Sequence, residues 1–300
     1  MGMTDNQLLM VKALAENRIQ DAKKCAIACC VEDTTKKNAP YVRRYQALLQ
    51  NRGPELIELP PNLTGLLRME DMSRFQESRY YLGKKEAEVY RNIERTNRTS
   101  MQLLEIGIRY LNSTLLYGPP GTWKTMFGQY VAYKLGLPFA YVNFSFLINS
   151  LMGDTSKNLR LVIDYCKGQQ CVLMLDEIDC IGMKRSGGSG GVEGELARTT
   201  ITLMQEMDLL TNEQILIAAT NRYDRLDPAL LRRFSQKAEI LPFDEDERIK
   251  MAEKFLDDIP EIRYDRKKIE EYACAERTQA EIIQFAISLL IREVEKRNTK

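Results

Sequence analysis

Apolar residues recur at spacings of three and four along NQLLMVKALAEN and IQDAKKCAIACCVED, and YVRRYQALLQN continues the rhythm. That period predicts two or three short helices forming a small N-terminal helical region over residues 1–51. NRGPELIELPPNLTG then breaks the period with glycine and prolines, which places a linker at 52–71. From 72 to 243 short apolar runs alternate with helical stretches; STLLYG, FAYVNF, CVLMLD, ILIAAT and KAEILP read as strands. This alternation predicts an α/β domain, a parallel sheet covered by helices. After PFDEDER the pattern is purely helical, roughly over 245–257, 266–274 and 279–297, so 244–300 is expected to form a separate helical lid. SGGSGG at 186–191 reads as a flexible loop inside the α/β domain.

Composition narrows the chemistry. The chain has 300 residues, 44% apolar and 28% charged, enough for one large or two modest domains. With 43 basic and 42 acidic side chains it carries a net charge of +1, so no overall field draws it to nucleic acid or to an anionic membrane. No run approaches the ~18 apolar residues of a membrane span, and the start lacks a signal-peptide pattern. Seven cysteines, an odd count mostly within apolar stretches and without a C-x-x-C pair, suggest buried thiols in a reducing cytosol rather than zinc ligands. The absence of histidine removes Ser-His and Cys-His nucleophile pairs. Any hydrolysis must therefore use carboxylates, lysines, arginines and bound metal.

LLYGPPGTWKT, residues 115–125, carries the strongest chemical signal. A phosphate-binding loop is written G-x-x-x-x-G-K-[ST], and Gly118, Lys124 and Thr125 match it. The segment follows a strand and opens a helix-like run, the order in which free backbone N–H groups meet a phosphate. Gly118, Pro119, Pro120, Gly121, Thr122, Trp123, Lys124, Thr125 and Met126 are thus candidate ATP contacts. CVLMLDE ends a strand in Asp176 and Glu177. In a P-loop enzyme such an aspartate joins the Thr125 hydroxyl in holding Mg2+, and the neighbouring carboxylate orients water. Acidic residues after a strand also commonly open a helix, and only the spacing from the phosphate loop favours the catalytic reading.

These segments resemble, over roughly residues 72–300, the AAA subgroup of the AAA+ ATPases. LLYGPPGTWKT is similar to that family's Walker A segment, CVLMLDEID to its Walker B, and IAATNRYDRLDPALLRRF to its sensor 1 and arginine-finger region. The resemblance implies that Asn221 is the polar sensor and that Arg232 and Arg233 act on a neighbouring subunit's site. Outside the resemblance, two adjacent arginines after a helix read as solvated C-terminal charges. It further implies a homo-oligomeric ring, most plausibly a hexamer, that remodels or unfolds protein. A substrate or adaptor would be met by the N-terminal helices and by a pore loop at Leu151-Met152-Gly153, which lacks the family's usual aromatic. RTQAEIIQFAISLL is similar to the lid helix, with Ala280 where the subgroup lacks a sensor 2 arginine. The expected setting is cytoplasmic, with no membrane and with nucleic acid disfavoured by charge.

Trp123 departs from the pattern, standing where the loop wants its second glycine. Positive φ or a clash at that position costs on the order of 1–3 kcal/mol. That is roughly a ten- to hundredfold loss of nucleotide affinity. Two alternatives therefore stand beside the ring-forming remodeller: a nucleic-acid-associated helicase-loader or transposition-type ATPase, and a catalytically impaired scaffold.

Overall fold

A computed structural model describes residues 3–15, 19–33, 35, 38, 39, 42, 55–57, 59–144, 147, 155–182, 192–259 and 264–298. The chain divides into two compact units, Met1–Pro54 and Glu55–Lys300. In the first, α1 (Asp5–Ala15) packs on α2 (Ile19–Glu32). Asn6 near the start of α1 donates to Glu32 Oε1 at the end of α2, 2.6 Å away, so the pair is antiparallel. Its seam holds the small residues Ala13 and Ala22, while Leu8, Leu9, Val11 and Leu14 stay exposed. The third helical stretch, YVRRYQALLQN, lies outside the described residues except for Val42.

The second unit is built on a seven-stranded sheet. Its strands are β1 (Glu55–Leu56), β2 (Arg68–Asp71), β3 (Asn112–Tyr117), β4 (Phe139–Asn143), β5 (Cys171–Asp176), β6 (Gln214–Thr220) and β7 (Gln236–Glu239). They lie in the order β1-β2-β4-β5-β6-β3-β7. The last five run parallel, with Leu173 opposite Ala140 on one side and Leu216 on the other, and Leu115 opposite Ala218 and Lys237. All five C-terminal strand ends therefore share one edge, where ligands of open α/β sheets bind.

Within 52–71, expected as a linker, Glu55–Leu56 and Arg68–Asp71 form strands that extend the sheet. β1 pairs antiparallel with β2, and β2 with β4 (Met69 opposite Ala140). Pro60 and Pro61, two of the prolines that suggested a linker, sit between these strands, where Pro61–Leu63 form a 3-10 turn.

Alternation along the strands explains the two faces of the sheet. Leu115, Leu173, Leu175 and Leu216 point to one core with Leu159, Val162 and Ile163 of α5 (Thr155–Lys167) and Leu203 of α6 (Val192–Met207). Leu116, Val172, Met174 and Ile217 point to the other, with Val89 and Ile93 of α3 (Lys84–Glu105) and Phe127 and Val131 of α4 (Lys124–Leu135). A short helix, α7 (Pro228–Leu231), precedes β7. The C-terminal helices α8 (Glu245–Asp257), α9 (Arg266–Ala273) and α10 (Gln279–Asn298) close a third core around Met251, Leu256, Ile269, Ile282 and Ala286. Ion pairs join α8 to the start of α3 and the turn before it: Arg79 to Asp258 at 2.7 Å and Lys84 to Asp244 at 3.1 Å.

Glu86 is buried at that junction, next to Gly83, whose bare Cα leaves room for its carboxylate and the Phe243 ring. Burial, with the Glu247 charge adding to it, raises its pKa to about 7. A carboxyl with a raised folded pKa destabilises the fold above that pKa, and the penalty is lifted as pH falls towards the unfolded value. Glu86→Gln should therefore stabilise the protein at about pH 8 by on the order of 1–3 kcal/mol. The gain should vanish towards about pH 4.5, as read by denaturant titration at the two pH values.

The thiols differ from expectation too. Cys166 and Cys171 are buried, but Cys25, Cys29, Cys30 and Cys180 are half-buried and Cys274 is exposed.

Candidate active site

The loop between β3 and α4 is shaped by three residues with positive φ: Gly118 (148°), Gly121 (79°) and Trp123 (59°). At Gly118 a Cβ would run into the carbonyl of Ile240 beyond β7, so only glycine lets the loop leave the sheet there. Thr122 is buried and donates to the Pro119 carbonyl at 2.9 Å, closing the turn. Trp123 caps α4 without any side-chain capping bond, so the N–H groups of the first helical turn remain for a ligand. Pro119 and Pro120 are exposed on the rim, and Met126 packs half-buried beneath the loop.

Lys124 curls back under this loop. Its Nζ donates to the carbonyls of Gly118 (3.0 Å) and Pro119 (2.7 Å) and to Thr122 Oγ1 (3.2 Å). Burial lowers its pKa to about 8, against the opposing pull of Asp176 and Asp179. A loop of N–H donors around a buried ammonium favours an anion.

Thr125 follows on the first turn of α4 and donates to Asp176 Oδ2 at 2.7 Å. Tyr141 of β4 donates to the same oxygen at 3.2 Å. One hydroxyl and one carboxylate at the mouth of a phosphate loop suit Mg2+, a hard cation held by few protein oxygens together with substrate phosphates. Glu177 comes next, exposed, with φ 54° and its N–H donating to Asp176 Oδ1 at 3.0 Å. Among the described residues, Trp123 and Glu177 are the two non-glycine positions with positive φ. Both flank one site, and strained backbone of this kind concentrates at functional positions.

Asn221 follows β6, exposed, on the edge shared with Asp176 and Tyr117. Thr220 donates to Asp179 Oδ1 at 2.6 Å, tying the end of β6 to the turn after β5. Sequence reasoning missed Tyr141, Thr220 and Asp179. Thr220 offered only the signal of a polar residue at a strand end, while Tyr141, in the middle of β4, and Asp179, in the turn after β5, offered none.

The arginine pair separates. Arg233 forms a two-pronged pair with Asp208 (3.0 and 2.8 Å) and also donates to the carbonyls of Met204 and Ala229. Arg232 is exposed, and its side chain makes no hydrogen bond or ion pair among the described residues, only its backbone N–H donating to the Pro228 carbonyl. Neither arginine bonds to Lys124, Asp176 or Glu177 among the described residues. Leu151-Met152-Gly153 and 183–191, which hold the expected pore segment and the glycine-rich loop, lie outside the described residues.

The Trp123 indole lies among other aromatic side chains. It stacks on Tyr80 (ring centroids 6.1 Å apart, planes 16° from parallel) and packs against both the sheet core beneath α4 and the lid core. Tyr80 stacks in turn on Tyr130 of α4 at 4.8 Å. Each such aromatic pair contributes about 0.5–1.5 kcal/mol beyond its burial, comparable to the cost of the left-handed backbone. The lid completes the site: Ala280 N–H donates to the Gly121 carbonyl at 3.0 Å.

Residues 114–241 match the model of the ATPase family associated with various cellular activities (AAA). The ATP-dependent zinc metalloprotease FtsH 3 of Symbiobacterium thermophilum is 41% identical over 132 residues, covering 43% of this chain and 21% of that protein. The proteasome-activating nucleotidase of Methanococcus maripaludis is 40% identical over 152 residues, 49% of this chain and 37% of that protein. The 26S proteasome subunit RPT4 of Saccharomyces cerevisiae is 37% identical over 140 residues, 45% of this chain and 32% of that protein. The similarity thus spans less than two fifths of each of these relatives. No helix among the described residues is long and apolar enough to cross a membrane.

Proposed function

We propose that this chain, which matches the AAA-type ATPases over residues 114–241, hydrolyses ATP as part of a homo-oligomeric ring, a hexamer in keeping with that family, to remodel or unfold protein substrates. The observation that supports it best is the single strand edge carrying Lys124, Thr125, Asp176, Glu177 and Asn221. The N–H groups of Gly121 to Thr125 and the Lys124 ammonium would hold the phosphates, and Thr125 and Asp176 would hold Mg2+. Magnesium, when bound, neutralises phosphate charge. Tyr141 and Thr125 fix the Asp176 carboxylate by hydrogen bonds to one of its oxygens, and Glu177 orients water and draws its proton. Asn221 senses the terminal phosphate, and Arg232 reaches the neighbouring subunit's site. The 1–51 region and the Leu151-Met152-Gly153 segment would meet the protein substrate or an adaptor, in the cytoplasm.

The relatives' names favour protein over nucleic acid as the substrate, as does the net charge of +1. Steady-state ATPase assays of the full chain should show stimulation by a chemically unfolded protein and none by duplex or single-stranded DNA. Stimulation by DNA alone would favour a helicase-loader type. No turnover with either addition, in both the parent and Trp123→Gly, would favour the scaffold.

A further inference from the structure

Two buried side-chain nitrogen or oxygen atoms lack a hydrogen-bond partner among the described residues, Arg277 Nε and Gln279 Oε1. Arg277 lies with its guanidinium over the Tyr272 ring, 4.7 Å from its centroid, which accounts for its orientation. Gln279 has no such explanation. It is the first residue of α10 and only 1% exposed. Its Nε2 donates to the Leu241 carbonyl at 3.0 Å, which fixes the amide and leaves Oε1 as the orphan acceptor. A buried acceptor without a donor is costly unless something else supplies one.

The surroundings say what could supply it. The residues on either side of Gln279 both touch the phosphate loop. Thr278 Oγ1 and Ala280 Cβ lie 3.1 and 3.5 Å from where Gly121 would carry a Cβ, and Ala280 N–H donates to the Gly121 carbonyl. Leu241, its other anchor, follows Ile240, whose carbonyl closes on Gly118. Gln279 is thus bracketed by both glycines of the loop. Phosphate oxygens accept hydrogen bonds and cannot satisfy another acceptor. The nearest donors on a nucleoside triphosphate, counting outward from the phosphates, are the ribose hydroxyls, and the exocyclic amine of the base lies farther along.

We propose that Gln279 is a specificity-determining residue whose Oε1 accepts a hydrogen bond from a ribose hydroxyl, so that the site selects nucleotides that carry that hydroxyl over the deoxy analogue that lacks it. This rests on the nucleotide-binding reading of the phosphate loop. The orphan oxygen at the lid, one residue from the contact with Gly121, makes the lid helix a reader of the sugar.

The test is calorimetric binding of Mg-ATP, its 2′-deoxy and 3′-deoxy analogues and inosine triphosphate to the full chain and to Gln279→Met. The parent should bind at least one deoxy analogue about five- to tenfold more weakly than ATP, a site built around a sugar hydroxyl losing about one hydrogen bond. Gln279→Met should bind ATP and that analogue alike. Equal affinity of the parent for ATP and both deoxy analogues overturns the proposal while leaving the nucleotide reading intact. So does discrimination that survives in Gln279→Met. A loss confined to inosine triphosphate overturns it too, assigning the acceptor to the base amine. Should Gln279→Met fail to fold, the analogue series on the parent decides alone. A parent that binds none of these nucleotides overturns both the proposal and the reading beneath it.

Discussion

Glu177→Gln should lower ATP turnover by about 10²- to 10⁴-fold while leaving nucleotide affinity within a few-fold of the parent. Glu177 stands exposed just beyond Asp176, outside the phosphate loop and outside the Thr125–Asp176 pair. The amide keeps the shape and loses the proton acceptor. Its left-handed backbone (φ 54°) holds the side chain at the strand edge, and glutamine should take the same conformation at similar cost. Single-turnover hydrolysis and equilibrium binding, measured on the same preparation, separate the two effects. Turnover unchanged in the glutamine variant would remove Glu177 from the reaction.

Arg232→Ala is expected to be comparably damaging, about 10³-fold or more in turnover, because a guanidinium reaching the neighbour's site stabilises transition-state charge. The two arginines, indistinguishable in the sequence, should now behave differently. Arg233 is held within its own subunit by Asp208 and the Met204 and Ala229 carbonyls, so Arg233→Ala should cost about 1–2 kcal/mol of stability and much less turnover. Arg232 has its guanidinium exposed to meet a partner. Mixing Arg232→Ala with Glu177→Gln subunits should restore part of the activity, since some interfaces then join a competent pocket to an intact arginine. Normal assembly without any recovery would argue against a shared site.

The legibility of the fold followed the range of the forces involved. β5 is a run of five apolar residues ending in aspartate, and it starts and stops where the hydrophobic pattern does. α8 and α10 were equally plain, since their apolar spacing matches the turn of a helix. β1 and β2 were not. Glu55-Leu56 and Arg68–Asp71 have no strand pattern of their own, and they are strands only because Met69 finds Ala140, a partner distant in the sequence. Within the site, the motif residues could be read because their spacing is local. Tyr141 on Asp176, Thr220 on Asp179 and Asp208 on Arg233 arise from strand neighbours or helix packing, which spacing does not reveal. Trp123 shows the same limit. Its backbone strain follows from the loop pattern, but the escape route for its indole depends on Tyr80 and the lid core, which lie far away in sequence.

That escape route is what lets a tryptophan stand beside Lys124, the lysine proposed to meet the phosphates. It implies that the unmodified chain binds ATP, with affinity reduced by the strained loop rather than abolished. Trp123 is the single tryptophan, so binding can be read from it directly. The most direct measurement is a calorimetric titration of Mg-ATP into the full chain, with intrinsic emission followed in parallel. Saturable heat and a saturable change in emission, both lost in Lys124→Ala, are the expected result. A folded parent chain that takes up no ATP at millimolar nucleotide, while Trp123→Gly binds it, would show that the indole blocks the site and would contradict the account.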